Sequence, residues 1–527
     1  MGSGFIDKTK NPQVKKMDLL FCQTPQQKEA AIKALQDYLP HCRWFSSKSQ
    51  SIVQLEFEEE IFLDPFKQEF SLLFFRVTYD KGPEAQDLFL LPLQRKSLPE
   101  AQHSDREILF SCEDLALCWI EATSNNNIGQ LFLELIVHKK ESKGRRGSIR
   151  GSCSQLFFFN EKDISFKEKG QFLGTEQSNS SYIFDQKFFF KLYRKLEAGE
   201  NPESEILSYL TEKTPFGNIP SYLGKMELFL NGSKYVIGLL TKYVPNEGNG
   251  WKRALSCLER YHKVAQELLS SSALSHFPQE TFHHDCFGLD AIYLGERTAE
   301  LHLALSSAQG IEGFEPEPLQ KTDLKLLFEE AIQQIDKKWI NASANPWFQR
   351  ILSQRNFTFQ SLTERISQKL KEKITDLEEE NPDKIRIHGD FHLGQVLWTG
   401  SDYFIIDFEG EPNRSIDKRR MLWPALKDVA GMLRSFHYAA YSFFSPMDDP
   451  SKRILAAFWY SKIVKIYLDA YRKKVRSAPI LPSTEESFFA LLDFFLIEKA
   501  VYEVGYELGS RPAWVPIPLL ALLDLIE

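Results

Sequence analysis

Residues 385–412, IRIHGDFHLGQVLWTGSDYFIIDFEGEP, restrict the fold more than any other stretch of this chain. Two apolar, β-rich runs, 385–387 and 403–406, flank a loop and a turn. Each run leads to an acid: Asp390 follows His-Gly after the first, and Asp407 precedes Phe-Glu after the second. Gln395 sits between them, five residues beyond Asp390. A single Asp after Gly is ordinarily a turn former. Two acids and an amide in this order suggest a more specific use. One carboxylate can take a proton from an alcohol. The amide oxygen and the second carboxylate can hold a divalent cation against phosphate oxygens. A loop braced by a hairpin presents all three from a rigid base, so the stretch predicts phosphoryl-transfer chemistry.

A chain of 527 residues is too long for one ordinary core and predicts two lobes or more. With 43% hydrophobic and 13% aromatic residues it has the material for packed cores. The net charge of −8 argues against nucleic acid as a partner. No apolar run reaches the roughly 18 residues of a spanning helix, and no signal peptide opens the sequence, so no membrane partner is expected. Seven scattered cysteines without a CxxC pair read as reduced thiols, which predicts a cytoplasmic protein.

Along the chain, residues 1–16 are polar and read as a loose terminus. Residues 25–39 have helical periodicity, with Ala30, Leu35 and Leu39 on one face. Arg43-Trp44-Phe45 followed by Lys48 reads as an aromatic corner. The runs 70–79 and 88–93, joined by Asp80-Lys81-Gly82-Pro83, read as a hairpin. An apolar run at 131–137 precedes the basic, Gly-rich and Ser-rich segment 138–151, which reads as a mobile surface loop. The small polar residues 174–181 come before a strand at 182–184, a turn at Asp185-Gln186 and a strand at 188–193. Lys191 lies within that second strand, facing either solvent or a ligand. A helix is expected from about 201–202 to 212, carrying Glu203 and Glu205, either of which can reach Lys191. A strand at 236–240 ends this lobe. Helical patterns then dominate, with His302 on an amphipathic helix and charged helices at 323–336 and 360–380. Helices resume at 427–440 and continue to the end. Lys499, Tyr502 and Glu503 share one helical turn.

HGDFHLGQ, IIDFEGEP, LKDVAGMLRSFHYAA and EKAVYEVGYELGSRP together resemble the maltokinases. These belong to the aminoglycoside-phosphotransferase-like branch of the eukaryotic-protein-kinase-like superfamily. LPHCRWFSSK, EQSNSS, FFFKLYRKLE, NPESEILSYLTEKTPF and RTAELHLAL resemble the same family, in order along nearly the whole chain. The resemblance implies an α+β, bilobal protein-kinase-like fold with an N-terminal cap subdomain and a mainly helical C-terminal lobe. The expected boundaries are 17–120 for the cap, 121–247 for an intermediate lobe and 248–527 for the helical lobe.

The resemblance also implies an activity: transfer of phosphate from ATP to maltose, giving maltose 1-phosphate, with Mg²⁺. The product would feed glycogen or α-glucan synthesis. Asp390 is then the catalytic base, and Gln395 and Asp407 are the metal ligands. Lys191 is the phosphate lysine, with Glu205 its partner and Glu203 the second choice. Ser178, Asn179 and Ser180, with Ser181, would cover the phosphates, and Tyr243 and Val244 would be the adenine hinge. Glu409, Arg420, Lys499 and Tyr502 are candidates for sugar contacts. Gln395 stands where most kinases have Asn but keeps an amide oxygen. Ser46-Ser47 replaces a Gly-rich pair. Many maltokinases are fused to a trehalose synthase, so association with such an enzyme is expected of a stand-alone kinase or fragment. The alternatives are another small-molecule kinase of this branch and a non-catalytic glycan-binding protein.

Overall fold

Helix α1 (Pro25–Tyr38) starts where Thr24 and Gln27 close a reciprocal capping box, with Pro25 at the first helical position. Its Ala31 and Leu35 pack into a core with Phe75, Phe89, Leu91 and Trp119. The computed structural model of the protein describes residues 24–45, 47, 50–80, 85–98, 108–155, 170–174, 178–270, 287–340, 342–377, 381–412, 414–444, 449–476 and 478–527. The polar stretch 1–16, Cys22, Ser46, Lys48, the turn residues 81–83, residues 175–177 and Cys286 lie outside the described residues.

Two antiparallel sheets follow. Strands β1 (Ile52–Phe62), β2 (Phe70–Tyr79), β3 (Gln86–Ser97), β4 (Ile108–Cys112) and β5 (Leu117–Glu121) are ordered β1-β2-β3-β5-β4. Helix α2 (Asn126–Val137), capped by Asn125, contains the apolar run at 131–137. The second sheet uses β6 (Glu141–Lys143), β7 (Gly147–Cys153), β8 (Gln171–Phe172), β9 (Asn179–Phe184) and β10 (Phe188–Tyr193). After β10 the chain steps across as β11 (Lys195–Leu196) to pair with β3 of the first sheet. It returns through β12 (Tyr222–Leu230) and β13 (Ser233–Lys242), giving the order β6-β7-β12-β13-β10-β9-β8.

The segment 138–151 is therefore not a mobile loop. It is largely a hairpin whose β7 pairs with β12, about eighty residues on. Its Gly and charged residues suit a loop locally, but the ladder partner is remote, and strand formation depends on such partners. Gly151 shows the need for a small residue: a Cβ there would meet the Leu135 carbonyl oxygen at 1.9 Å. The β9–β10 turn places Asp185 and Gln186 at φ of 49° and 51°, a left-handed pair suited to the twist of a tight hairpin.

These sheets and Tyr222–Tyr243 belong to one unit, which extends to Ser204. Glu205–Ser221 and Val244–Glu527 form the other. The second sheet-bearing region thus loses residues 205–221, expected within 121–247, to the helical unit. Helix α3 (Pro202–Lys213) contains this boundary.

The second unit contains α4 (Gly250–Ser270), α5 (Gly288–Leu305), α6 (Lys321–Lys338), α7 (Pro346–Gln354) and α8 (Phe359–Thr375). Beyond these come α9 (Ile416–Arg419), α10 (Leu426–Phe444), α11 (Pro450–Val475), α12 (Glu485–Ser510) and α13 (Pro516–Ile526). Strands β14 (Glu317–Pro318), β15 (Asp383–Ile385) and β18 (Trp423–Pro424) make a small sheet, and β16 (Val396–Trp398) pairs with β17 (Tyr403–Ile405). Helix α10 is buried along nearly its whole length and backs the loop at 388–395. Five described cysteines are free thiols: Cys42, Cys112, Cys118, Cys153 and Cys257.

At Gly431 of α10, an added Cβ would lie 2.6 Å from the Phe391 carbonyl oxygen. Gly431→Ala is therefore expected to destabilise the protein by about 1–3 kcal/mol. A thermal melt checks this; an unchanged Tm would contradict such close packing.

Candidate active site

The loop after β15 is built on one buried carboxylate. Asp428, in the first turn of α10, accepts the His388 amide at 2.7 Å and the Gly389 amide at 2.9 Å. Gly389 has φ +82°, a conformation that L side chains rarely adopt, and it lets both amides face the same acceptor. His302 Nε2 donates to Asp428 at 3.3 Å and receives a hydroxyl from Tyr471 at Nδ1, 2.9 Å. Burial opposes the charge of Asp428. The His302 hydrogen bond, the electrostatic influence of the His302 and His388 rings, and the Gly389 amide nevertheless hold its carboxyl below the ordinary range. His388 Nε2 donates to the Ile406 carbonyl at 2.9 Å, so its Nδ1 accepts the Asp390 amide at 3.3 Å. The loop bearing Asp390 is thereby tied both to α10 and to the end of the β16–β17 hairpin.

Gln395 and Asp407 meet across that hairpin. The Ile406 amide donates to the Gln395 carbonyl at 3.0 Å, and Gln395 Nε2 lies 2.8 Å from Asp407 Oδ2. Asp407 has φ +67°, a strained conformation for a non-glycine residue. Turning the Gln395 amide over would present Oε1 and a carboxylate oxygen side by side, a hard-oxygen pair suited to Mg²⁺.

Lys499, on α12, reaches Asp390 Oδ1 at 3.2 Å and Glu411 Oε1 at 3.1 Å. Its side chain is only 16% exposed, against 24% for Asp390. Burial by itself pushes the ammonium down, but Glu411 and Asp390 outweigh it and hold its pKa well above the ordinary value. Glu411 is paired in turn with Arg414 at 2.6 Å. Burial would raise the Glu411 carboxyl, but Lys499, Lys427 and Arg414 keep it far below the carboxylate range. Arg414 also meets Glu330 at 2.8 Å and Glu498 at 3.4 Å, and Lys427 meets Glu498 at 2.8 Å.

In the sheet-bearing unit, Lys191 stands opposite Ser181 of β9 and Leu239 of β13. It is buried and pairs with Glu203 at 2.9 Å; the Tyr193 hydroxyl donates to the same carboxylate oxygen at 2.7 Å. The favoured partner, Glu205, is not the one used. Two residues along a helix turn the side chain by about 200°, so Glu203 and Glu205 point to opposite faces. Glu205 instead accepts Arg386 at 2.9 Å and both arms of Arg420, at 2.8 and 3.0 Å.

The sequence model of the maltokinase N-terminal cap domain matches residues 38–116, which include β1–β4. Over that stretch the chain is similar to the maltokinase cap. The chain is 24% identical over 401 residues to a glucosamine kinase of Streptacidiphilus jiangxiensis, covering 74% of this chain and 80% of that relative. A glucosamine kinase of Mycolicibacterium smegmatis is 27% identical over 147 residues, 27% of this chain and 34% of that relative. A solved glucosamine kinase in complex with glucosamine, ADP and inorganic phosphate superposes with a TM-score of 0.61 at 17% identity, covering 94% of this chain and 98% of that one. Another crystal form of a glucosamine kinase gives 0.61 at 18% identity, covering 92% and 97%. The fold of the chain is thus the expected α+β, bilobal kinase-like one with a cap.

Other expected site residues sit as follows. Ser178 is exposed and Asn179 half-buried at the start of β9. Ser180 is buried, and its hydroxyl accepts from Arg194 at 3.3 Å, so it faces the interior of the unit rather than an open loop. Arg194 is itself packed over the Trp44 ring at 4.2 Å, beside the buried Phe45 of the expected aromatic corner. The Tyr243 amide donates to Lys187, and the Val244 carbonyl accepts from Asn246, so both groups of the expected hinge are used locally. Glu409 is half-buried, with its carbonyl accepting from Arg419. Arg420 is committed to Glu205. Tyr502 lies under both Lys499 and Lys338, at 4.9 and 4.3 Å. Asp428 was not singled out from sequence. Its signal, an acid inside an otherwise apolar helical stretch, has meaning only once its distant partners are known.

Asp428→Asn leaves one loop amide facing an NH₂ donor instead of an acceptor and is expected to cost about 2–3 kcal/mol. The native carboxyl has a depressed pKa, so its stabilisation is complete above the ordinary aspartate value and is lost as pH falls below about 4. Denaturant titrations across acid pH should give a flatter stability curve for the Asn variant. An equally steep curve would contradict this role.

Proposed function

We propose that this chain is a sugar kinase that transfers the γ-phosphoryl group of ATP to the anomeric hydroxyl of maltose, giving maltose 1-phosphate and ADP. The observation that carries the reading is the cluster of Asp390, Gln395 and Asp407 on one braced loop and hairpin, in a chain bearing a maltokinase cap. Asp390 accepts the hydroxyl proton as the sugar oxygen bonds to phosphorus and the bond to the β-phosphate oxygen breaks. Gln395 and Asp407 would hold Mg²⁺, which supplies charge neutralisation at the phosphates. Lys191, oriented by Glu203, holds phosphate oxygens by charge. Adenine would lie near Tyr243 and Val244.

A disaccharide is favoured over a single sugar by the face of α12. Beyond Lys499, Tyr502 and the 44%-exposed Tyr506 follow on the same side, and seven residues of helix extend about 10 Å. That length accommodates a second glucosyl ring against aromatic surface. Use of the product as a donor in α-glucan synthesis, and association with a trehalose synthase, extend the same reading. No described helix is long and apolar enough to cross a membrane.

The second reading is a glucosamine kinase, favoured by the sequence relatives. Initial rates of ADP release with maltose, glucose, glucosamine and kanamycin separate the two, and ³¹P NMR locates the phosphate. Turnover of glucosamine without maltose would reject the maltose assignment.

Asp390→Ala is expected to lower turnover by roughly 10²–10⁴-fold while leaving ATP binding nearly intact. Wild-type rates in that variant would remove Asp390 from the chemistry. Glu203→Gln should raise KM for ATP about tenfold. Glu205→Gln should act mainly on stability, because its partners are Arg386 and Arg420. A KM effect confined to Glu205→Gln would reverse these roles.

A further inference from the structure

We infer that Lys499 is a positioning residue for the proposed base: it fixes the rotamer of Asp390 and leaves Oδ2 as the acceptor for the sugar proton. This rests on the phosphotransfer reading above and extends it to a residue 109 positions from the loop in sequence.

The geometry is specific. The Lys499 ammonium lies 3.2 Å from Asp390 Oδ1 and 3.1 Å from Glu411 Oε1, so two of its three N–H groups are used by carboxylates. The other Asp390 oxygen faces His392, with Nε2 4.0 Å away. Asp390 therefore offers its two oxygens to different surroundings: one is held by a cation from α12, the other remains on the loop side. Lys499 cannot swing away cheaply. Glu411 is locked by Arg414, which Glu330 and Glu498 hold in turn. The Lys499 ammonium also lies over the Tyr502 ring, 4.9 Å from its centroid.

The remaining charges around the pair support the same assignment. Glu503 on α12 is engaged by Arg434 of α10 at 2.7 Å, and Lys338 of α6 adds positive charge near Lys499. His388 is turned to Ile406 and to the Asp390 amide. The nearest charge contact to the Asp390 carboxylate among the described residues is thus the Lys499 ammonium.

A cation against one oxygen favours the ionised carboxylate and holds its other oxygen in one direction. A carboxylate fixed in this way takes its proton late, when the alcohol oxygen is already bonding to phosphorus. A loose transition state calls for that timing. The Lys499–Glu411 pair sets the strength of the effect, because Glu411 draws part of the ammonium's charge away from Asp390.

Three variants of the full chain test this: Lys499→Met, Lys499→Arg and Glu411→Gln. The acid limb of the kcat–pH profile is measured on whichever sugar the unaltered protein phosphorylates. Lys499→Met removes the cation that favours the ionised carboxylate, so the limb is expected to move to higher pH. Lys499→Arg keeps the cation and should hold the limb near its original position. Glu411→Gln removes a negative neighbour and should move the limb the opposite way, to lower pH. A structural role alone would not produce shifts of opposite sign.

The same carboxyl is followed without turnover by ¹³C NMR of aspartate-labelled protein, with its signal assigned by Asp390→Asn. Loss of maltose activity in the unaltered protein would then reject the maltose reading while leaving this test intact. The inference is overturned if neither the limb nor the carboxyl titration moves in Lys499→Met. It is equally overturned if that variant only raises KM for the sugar at unchanged kcat, because Lys499 would then bind substrate directly. If Lys499→Met fails to fold, Glu411→Gln decides, and an unmoved limb there rejects the inference.

Discussion

One buried carboxylate organises the helical unit. Asp428 has two oxygens and spends both on the backbone of a loop that would otherwise carry unsatisfied amides into the interior. The His302 ring and the Tyr471 hydroxyl secure it from behind. An ionised group is hard to bury, but it is an unusually strong acceptor for paired N–H donors. The loop bearing Asp390 is therefore rigid because its hydrogen-bond requirements are met from a helix instead of from water.

The same economy of charge runs outward from the loop. Lys499, Glu411, Arg414, Glu498, Lys427 and Glu330 alternate in sign, so no member is left as a lone buried charge. Breaking such a chain exposes the cost of the partner left behind, which is why its members are coupled. The pair nearest the loop carries the chemical consequence. A lysine placed on an aspartate holds it in one orientation, and a well-aimed carboxylate suits the proposed phosphoryl transfer to a hydroxyl.

Much of the secondary structure was legible because its signals are local. The strand at 188–193 follows from its β-rich composition and the turn before it, and β10 has those same limits. The helix from 25 onwards is announced by Thr24, Pro25 and Gln27. The segment 138–151 was misread because Gly and Lys are poor evidence for a strand until β12 arrives beside it. The choice between Glu203 and Glu205 failed for a related reason: spacing allowed either, and the phase of α3 selected one.

The sequence alone determined the order of the proposed site residues: Asp390, then Gln395, then Asp407, on a loop and hairpin. That order needs only short-range geometry, because a few residues of extended chain and one turn fix where each side chain leaves the backbone. Tertiary structure decided which charges meet. It brought Asp428 to the His388 and Gly389 amides, Glu203 rather than Glu205 to Lys191, and Lys499 to Asp390. Coulombic and hydrogen-bond pairing act through space over a few ångströms, and the partners are separated by 12 to 109 residues. No local pattern encodes them; the packing of helices and strands does.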